Sequence, residues 1–209
     1  AVRQRFAFVK PGLLLQMPDV PAATLRELHE QQTLLVEEDP QGRVVAATRL
    51  QIAGALDALF APAAHKLSLG PQFQGKGVRL SLWAPTAQQV QLCLYPNATA
   101  PASQLHSLQR DAASGVWSAK LPASATGAYY RFAVTVHVPG VGRVRNLVTD
   151  PYSVSLSADS RRSQILDLND PALQPTGWMS DTPPATVRQT TDMVIYELHV
   201  RDFSISDES

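Results

Sequence analysis

Four groups with acid–base or hydrogen-bonding capacity, Glu197, His199, Arg201 and Asp202, fall within six positions near the end of the chain. A carboxylate and an imidazole so close together can pass protons in a reacting site. They lie, however, in or just past the β-forming run Met193–Val200, where alternation puts Glu197 and His199 on one side. There they can hydrogen-bond within a core or to a neighbouring strand, so Tyr196, Glu197 and His199 read as support for a strand, not as its chemistry. A second set is aromatic: Trp83, Trp117, Tyr95, Tyr129 and Trp178. A flat ring can cover the apolar face of a pyranose, and Trp83, Trp117 and Tyr129 are the candidate sugar contacts. Trp83 at a strand end beside a Pro turn and Trp117 inside a strand serve equally as core fillers. Lys76, Arg79, Arg143 and Arg145 can form a polar edge, although single charges beside strands usually face solvent. His29, His65, His106 and His137 are scattered, and Cys93 is the only cysteine. No disulfide within the chain and no metal-ligand spacing follows, and no cofactor is expected.

These residues need elements to position them. Asp19–Gln32 reads as a short surface helix opened by Pro21. Thr33–Glu37 and Arg43–Thr48 read as a hairpin joined by Glu38-Asp39-Pro40-Gln41-Gly42. Gln51–Phe60 sets Ile52, Leu56, Leu59 and Phe60 at helical spacing, with Pro62 closing the segment. Leu67–Gly77 breaks every period and reads as a boundary. Beyond it Val78, Leu80 and Leu82 alternate with polar neighbours, and Val90, Leu92 and Leu94 do so after the turn Ala84-Pro85-Thr86-Ala87, which suggests an antiparallel pair. Val116–Leu121, Ala128–Val138 and Arg143–Thr149 complete five strands, with Tyr130, Phe132, Val134, Val136 and Val138 on one face. Such strands describe a β-sandwich of about 100 residues. Ser153–Thr190 is turn-rich and reads as a surface connector with apolar anchors Ile165, Leu168 and Trp178. The nearly continuous apolar run Met193–Val200 suggests a strand covered on both faces, as in parallel sheets. Nothing after it can pair with it, which is expected if the rest of an α/β barrel is absent.

Composition excludes several classes of partner. Eighteen basic and 18 acidic residues balance, so no long-range field draws the chain to nucleic acid or an anionic membrane. A neutral partner fits better. With 16 Pro and 11 Gly the chain is punctuated at short intervals, as mostly β proteins are. No run approaches the roughly 20 apolar residues of a membrane span. The start AVRQRFAFVKPG has neither an initiator Met nor a signal layout, and the chain is expected to begin within a longer protein.

Ile195–Ser209, IYELHVRDFSISDES, closely resembles the first barrel strand of pullulanases and limit dextrinases of the α-amylase superfamily, glycoside hydrolase family 13. Leu82-Trp83-Ala84-Pro85-Thr86-Ala87, Asp111–Trp117 and Tyr129-Tyr130-Arg131-Phe132 resemble the family 48 carbohydrate-binding module that precedes those barrels. Asp150-Pro151-Tyr152 and Val154-Ser155-Leu156 resemble its exit, Asp167–Asp170 and Gly177-Trp178 the connector, and Gln51–Phe60 the preceding helix. The resemblance implies a mainly β chain. An antiparallel immunoglobulin-like β-sandwich (71–156) would follow the tail of an α+β domain (1–70) and precede a connector (157–191) and the first strand of a truncated (β/α)8 barrel (192–209). It also implies a parent that hydrolyses α-1,6 linkages in pullulan, amylopectin or limit dextrins with retention. That chemistry needs two carboxylates about 5 Å apart on later strands, so no catalytic residue is expected here. The implied partners are an α-glucan and the missing barrel, against which Asp150, Pro151, Tyr152 and Trp178 would pack. Export or a periplasmic location is preferred to the cytoplasm. Two other readings compete: a stand-alone module anchoring a partner to starch or glycogen, and a sandwich that only braces the barrel.

Overall fold

The computed structural model describes residues 15–16, 18–50, 53–75, 77–182 and 186–205. The chain divides into two compact units, the first reaching Leu168 and the second starting at Asn169. The break falls inside the turn-rich stretch expected as a connector.

The first unit begins with helix α1 (Ala22–Leu28), whose N-cap is Pro21. It buries no residue, and its Arg26 guanidinium donates to the Leu59 carbonyl at 3.0 Å. Strands β1 (Leu34–Glu38) and β2 (Val44–Arg49) form the expected hairpin. The Asp39 carboxylate shapes its turn by accepting from the backbone N–H groups of Gln41 and Arg43, both at 2.9 Å. Helix α2 (Ala53–Ala64) follows, and it buries Phe60. Pro62 lies inside α2 instead of closing it; two residues from the end it interrupts little of the helical ladder. The expected helical residues Gln51 and Ile52 lie outside the described residues, as does Lys76.

The sandwich takes all of its strands from the chain after α2. One sheet has the order β3 (Gly70–Gln74), β4 (Gly77–Trp83), β8 (Val116–Pro122) and β7 (Gln109–Arg110). The other runs β10 (Gly142–Val148), β9 (Tyr129–Val138), β5 (Ala87–Tyr95) and β6 (Gln104–Ser107), with β11 (Ser163–Gln164) also on β9. All pairs are antiparallel. Strand β3 lies within the stretch read as a boundary, because its sequence GPQFQ alternates but carries one large apolar side chain. Strands β4 and β5 are not a hairpin pair. The turn at Ala84–Thr86 carries the chain from one sheet to the other, so each strand finds its partners elsewhere: β4 on β3 and β8, β5 on β6 and β9.

Alternation then fills the space between the sheets. Val78, Leu80 and Leu82 of β4 meet Val90, Leu92 and Leu94 of β5 and Tyr130 and Phe132 of β9, all buried in one cluster with Trp117, Leu121 and Ile165. Each such side chain contributes about 1.5–3 kcal/mol of burial. Gly115, at φ +69, lets the β8 entry turn press against Pro85; a Cβ there would sit 2.6 Å from the Pro85 Cβ.

In the second unit, short 3₁₀ turns at Pro171–Leu173, Trp178–Ser180 and Thr190–Asp192 precede helix α3 (Val200–Ser204). Met193–His199 was expected to be a strand, and it is not one. The segment has no ladder partner among the described residues, and Val194 and Ile195 are 98% and 82% exposed. A strand exists only through its neighbours; the β-forming side chains are present and the neighbouring strands are not. Residues 206–209 of the matching stretch lie outside the described residues.

Candidate functional site

The rings of Trp83 and Trp117 are each fixed by a backbone carbonyl of the turn that precedes or follows the other's strand. The Trp83 indole N–H donates to the Ser114 carbonyl at 2.8 Å, and that of Trp117 to the Ala84 carbonyl at 3.0 Å. Their surroundings differ. Trp117 faces Leu82 across the ladder, is 7% exposed and lies under the Arg110 guanidinium. It has no open face for a sugar, which corrects the expectation that it is a contact: its place in β8 points it inward. Trp83 is half-buried and points outward, one position past Leu82.

Trp83 lines a cleft of about 560 Å³ with Asp57, Ala61, Ala64, His65, Leu67, Leu69 and Tyr152. The Tyr152 side chain is 39% exposed. Gly70 holds Tyr152 in place from below: at φ +73, a Cβ on it would meet the Tyr152 carbonyl oxygen at 2.8 Å. The cleft thus brings together Trp83, expected on sugar, and Tyr152, expected on the barrel. Two aromatic rings, an apolar wall and an exposed carboxylate and imidazole at the rim suit a ligand with both hydroxyl groups and an apolar face.

Asp150 sits behind Tyr152 and is 4% exposed. Its carboxylate accepts from the Tyr130 hydroxyl at 2.7 Å and the Tyr152 N–H at 2.8 Å, and its N–H donates to Ser163 Oγ at 2.9 Å. Ser153 Oγ donates to the Asp150 carbonyl at 2.6 Å. Burial pushes the Asp150 carboxyl above its ordinary range, against the two donors that stabilise its charge. Burial, then the neighbouring Asp150 charge, pushes the Tyr130 phenol far above its own. Asp150 is therefore engaged inside the sandwich, and only Pro151 and Tyr152 of that trio present surface. Asp150 fixes the backbone from which Tyr152 projects.

Tyr129 is half-buried on the outer face of the other sheet, against Cys93, Tyr95 and Ala133. Two residues along the same face, Arg131 lines a cleft of about 420 Å³ with Ala98, Thr99, Ser157, Asp159, Arg161 and Arg162. The Arg162 guanidinium stacks on Tyr95 at 3.8 Å and donates to the Asn97 carbonyl at 2.7 Å. Asp159 and Ser160 both take left-handed backbone, φ 57 and 52, at its rim. Sequence reasoning missed this cleft because its residues come from three separated segments, and no single run marks it.

The remaining expectations are placed as follows. Arg145 donates to Gln91 Oε1 at 3.2 Å. His29 and His106 make local hydrogen bonds to Leu25 and Gln104, and His137 bonds Gln32, which lies 105 positions earlier in the chain. Trp178 is 62% and Tyr196 74% exposed. Glu197 and His199 do not bond each other; His199 Nδ1 instead accepts from the Asp202 N–H at 3.4 Å, as the cap of α3. No group of three or more metal-ligating side chains occurs among the described residues, and none of their helices is long and apolar enough to cross a membrane.

Residues 68–153 match carbohydrate-binding module 48, the isoamylase N-terminal domain. Residues 1–58 match the pullulanase N2 domain. The chain is 40% identical to a pullulanase of Klebsiella pneumoniae across its whole length, spanning 19% of that protein. It is 39% identical over 88% of its length to the chloroplastic pullulanase 1 of Arabidopsis thaliana, again 19% of the relative. The Klebsiella pneumoniae pullulanase structure complexed with maltotriose superposes with a TM-score of 0.77 at 41% identity, over 88% of this chain and 18% of that one. Over its length the chain is similar to the N2 and module 48 region of these pullulanases. It spans about a fifth of the length of these relatives.

Proposed function

We propose that this region serves an α-1,6-glucan debranching hydrolase of the pullulanase type, acting on pullulan, amylopectin or limit dextrins, by holding α-glucan on its sandwich. The observation that carries the reading is the Trp83–Tyr152 cleft on a carbohydrate-binding module 48. Trp83 gives a ring whose orientation is set by its bond to Ser114, so stacking on a pyranose costs little ordering. Tyr152, braced by Gly70 and Asp150, supplies the second ring. Tyr129, beside the Arg131 cleft, is a separate contact on the opposite sheet. Hydrolysis itself falls to carboxylates outside this region.

Affinity electrophoresis in gels containing pullulan or amylopectin tests the reading. The unaltered chain should be retarded, Tyr152→Ala and Trp83→Ala should run free, and Tyr129→Ala should lose only part of the retardation. An unaltered chain that migrates as in a sugar-free gel overturns it. A second reading is favoured by the apolar exposure of Leu67 and Tyr152, 43% and 39%. In it, Tyr152, Pro151 and, separately, Trp178 meet the catalytic barrel, and the sandwich acts as a brace. Adding the separately expressed barrel in trans would then raise the melting temperature of the unaltered chain but not of Tyr152→Ala.

A further inference from the structure

The outer face of the four-stranded sheet continues past the Trp83 cleft. Along β4 the outward residues are Trp83, Ser81 and Arg79, so the Trp83 and Arg79 backbones lie roughly 13 Å apart on one face. Register places Ser118 beside Ser81, and Gln72 and Lys120 on either side of Arg79. A second cleft of about 440 Å³ opens over this part of the sheet, lined by Lys66, Gln72, Gln74, Arg79, Asp111 and Ser118 among others. Leu67 lines both clefts, so the two are neighbours across one side chain.

We infer that the glucan surface of the Trp83 cleft extends across Leu67 onto a polar subsite of Arg79, Gln72, Gln74, Asp111 and Ser118, which takes further glucose units of a longer α-glucan. This rests on the glucan reading of the Trp83 cleft and adds a length preference to it. Three observations support it. Arg79 lines the cleft, and its buried Nε has no hydrogen-bond partner among the described residues, so the side chain gains an acceptor only if a ligand or a small shift of the guanidinium supplies one. Gln72 Nε2 already donates to the Leu69 carbonyl at 3.1 Å, which fixes the amide and leaves its oxygen to accept. Asp111 is kept ionised, its carboxylate accepting from the Ser114 hydroxyl at 2.6 Å and the Ala113 N–H at 3.1 Å.

Fixed donors beside a fixed ionised acceptor match a polyol, whose hydroxyl groups both give and receive. A phosphate group would meet Arg79 and Lys66 but would be repelled by the Asp111 charge, so a neutral glucan is the better occupant. The two clefts also divide the work: rings and aliphatic groups at Trp83 stack, and the polar groups around Arg79 fix register.

Calorimetric titration of the whole chain with maltotriose and with maltohexaose tests the inference. Maltohexaose should bind at least about 10-fold more tightly, the worth of one or two charge-assisted hydrogen bonds. Arg79→Ala should remove most of that gain and leave maltotriose binding unchanged. Gln72→Ala, which keeps the Arg79 guanidinium, should remove part of it and guards against an altered fold in the first variant. Equal affinity for the two sugars, or a gain that survives both substitutions, overturns the extension while leaving the Trp83 cleft standing. Binding of inorganic phosphate that Arg79→Ala abolishes, with no gain for maltohexaose, overturns it in favour of an anion site. Failure of both sugars to bind overturns the glucan reading and the extension together.

Discussion

Replacing Gly115 by alanine isolates the contact on which the two sheets and helix α2 converge. Two costs add at this position. An L-residue at φ +69 loses about 1–2 kcal/mol relative to glycine. The new Cβ would also lie 2.6 Å and 2.8 Å from Pro85 Cβ and Cα and 3.1 Å from Phe60 Cδ1. Pro85 belongs to the turn that carries the chain between sheets, and Phe60 is fully buried, so neither can swing aside as a flexible side chain would. Overpacking of this kind costs about 1–3 kcal/mol. The expected loss is therefore ~2–5 kcal/mol. Gly127 provides the control: its φ is +83, yet nothing lies within 4 Å of an added Cβ, so Gly127→Ala carries the backbone cost alone. Urea titration read by tryptophan fluorescence is the assay, because Trp83 and Trp117 both bond to the turns that meet at Gly115. Trp178, already 62% exposed, contributes little change. With m near 1–3 kcal/mol/M, the overpacking cost of about 1–3 kcal/mol should lower the midpoint of Gly115→Ala by about 0.3–3 M beyond Gly127→Ala. Equal midpoints for the two variants would refute the reasoning, since the contact would then carry no free energy.

Tyr130→Phe should destabilise the sandwich by about 1–3 kcal/mol at neutral pH, as it leaves a buried carboxylate short of one donor. Because the native Asp150 carboxyl already lies above its ordinary range, its contribution is present below about pH 4 and lost as pH rises through the raised value. Loss of the phenol raises it further, so the variant's urea midpoint should fall more than the parent's between pH 4 and 7. Asp111 behaves in the opposite sense: held low first by the Ser114 hydroxyl, it stabilises above about pH 4 and loses that contribution as pH falls through its native value. Ser114→Ala should therefore shrink the drop in urea midpoint between pH 5 and pH 3, and an unchanged drop would refute the assignment.

Strand identity was readable where one face is wholly apolar. Val78, Leu80 and Leu82, and again Tyr130 and Phe132, announce both the strand and its buried side, because period-two alternation is a local property. Pairing was not readable in the same way. The turn at Ala84–Thr86 resembles a hairpin connection, and only the competition of β8 and β9 for β4 and β5 sends the two strands to different sheets. Strand β3 was hidden because its ladder to β4 needs few apolar side chains. Met193–Val200 shows the converse: side chains suited to a strand, and neighbouring strands missing. For the candidate site, residue type pointed to Trp83 but could not separate it from Trp117. Both are tryptophans on strands of the same sheet, and a one-residue difference in phase decides which ring faces solvent.

The single side chain of Leu67 has a mechanical consequence. It forms a wall of the aromatic cleft on one side and of the polar cleft on the other. A change at Leu67 therefore reaches both hollows at once, and they cannot be altered there as two independent receptacles.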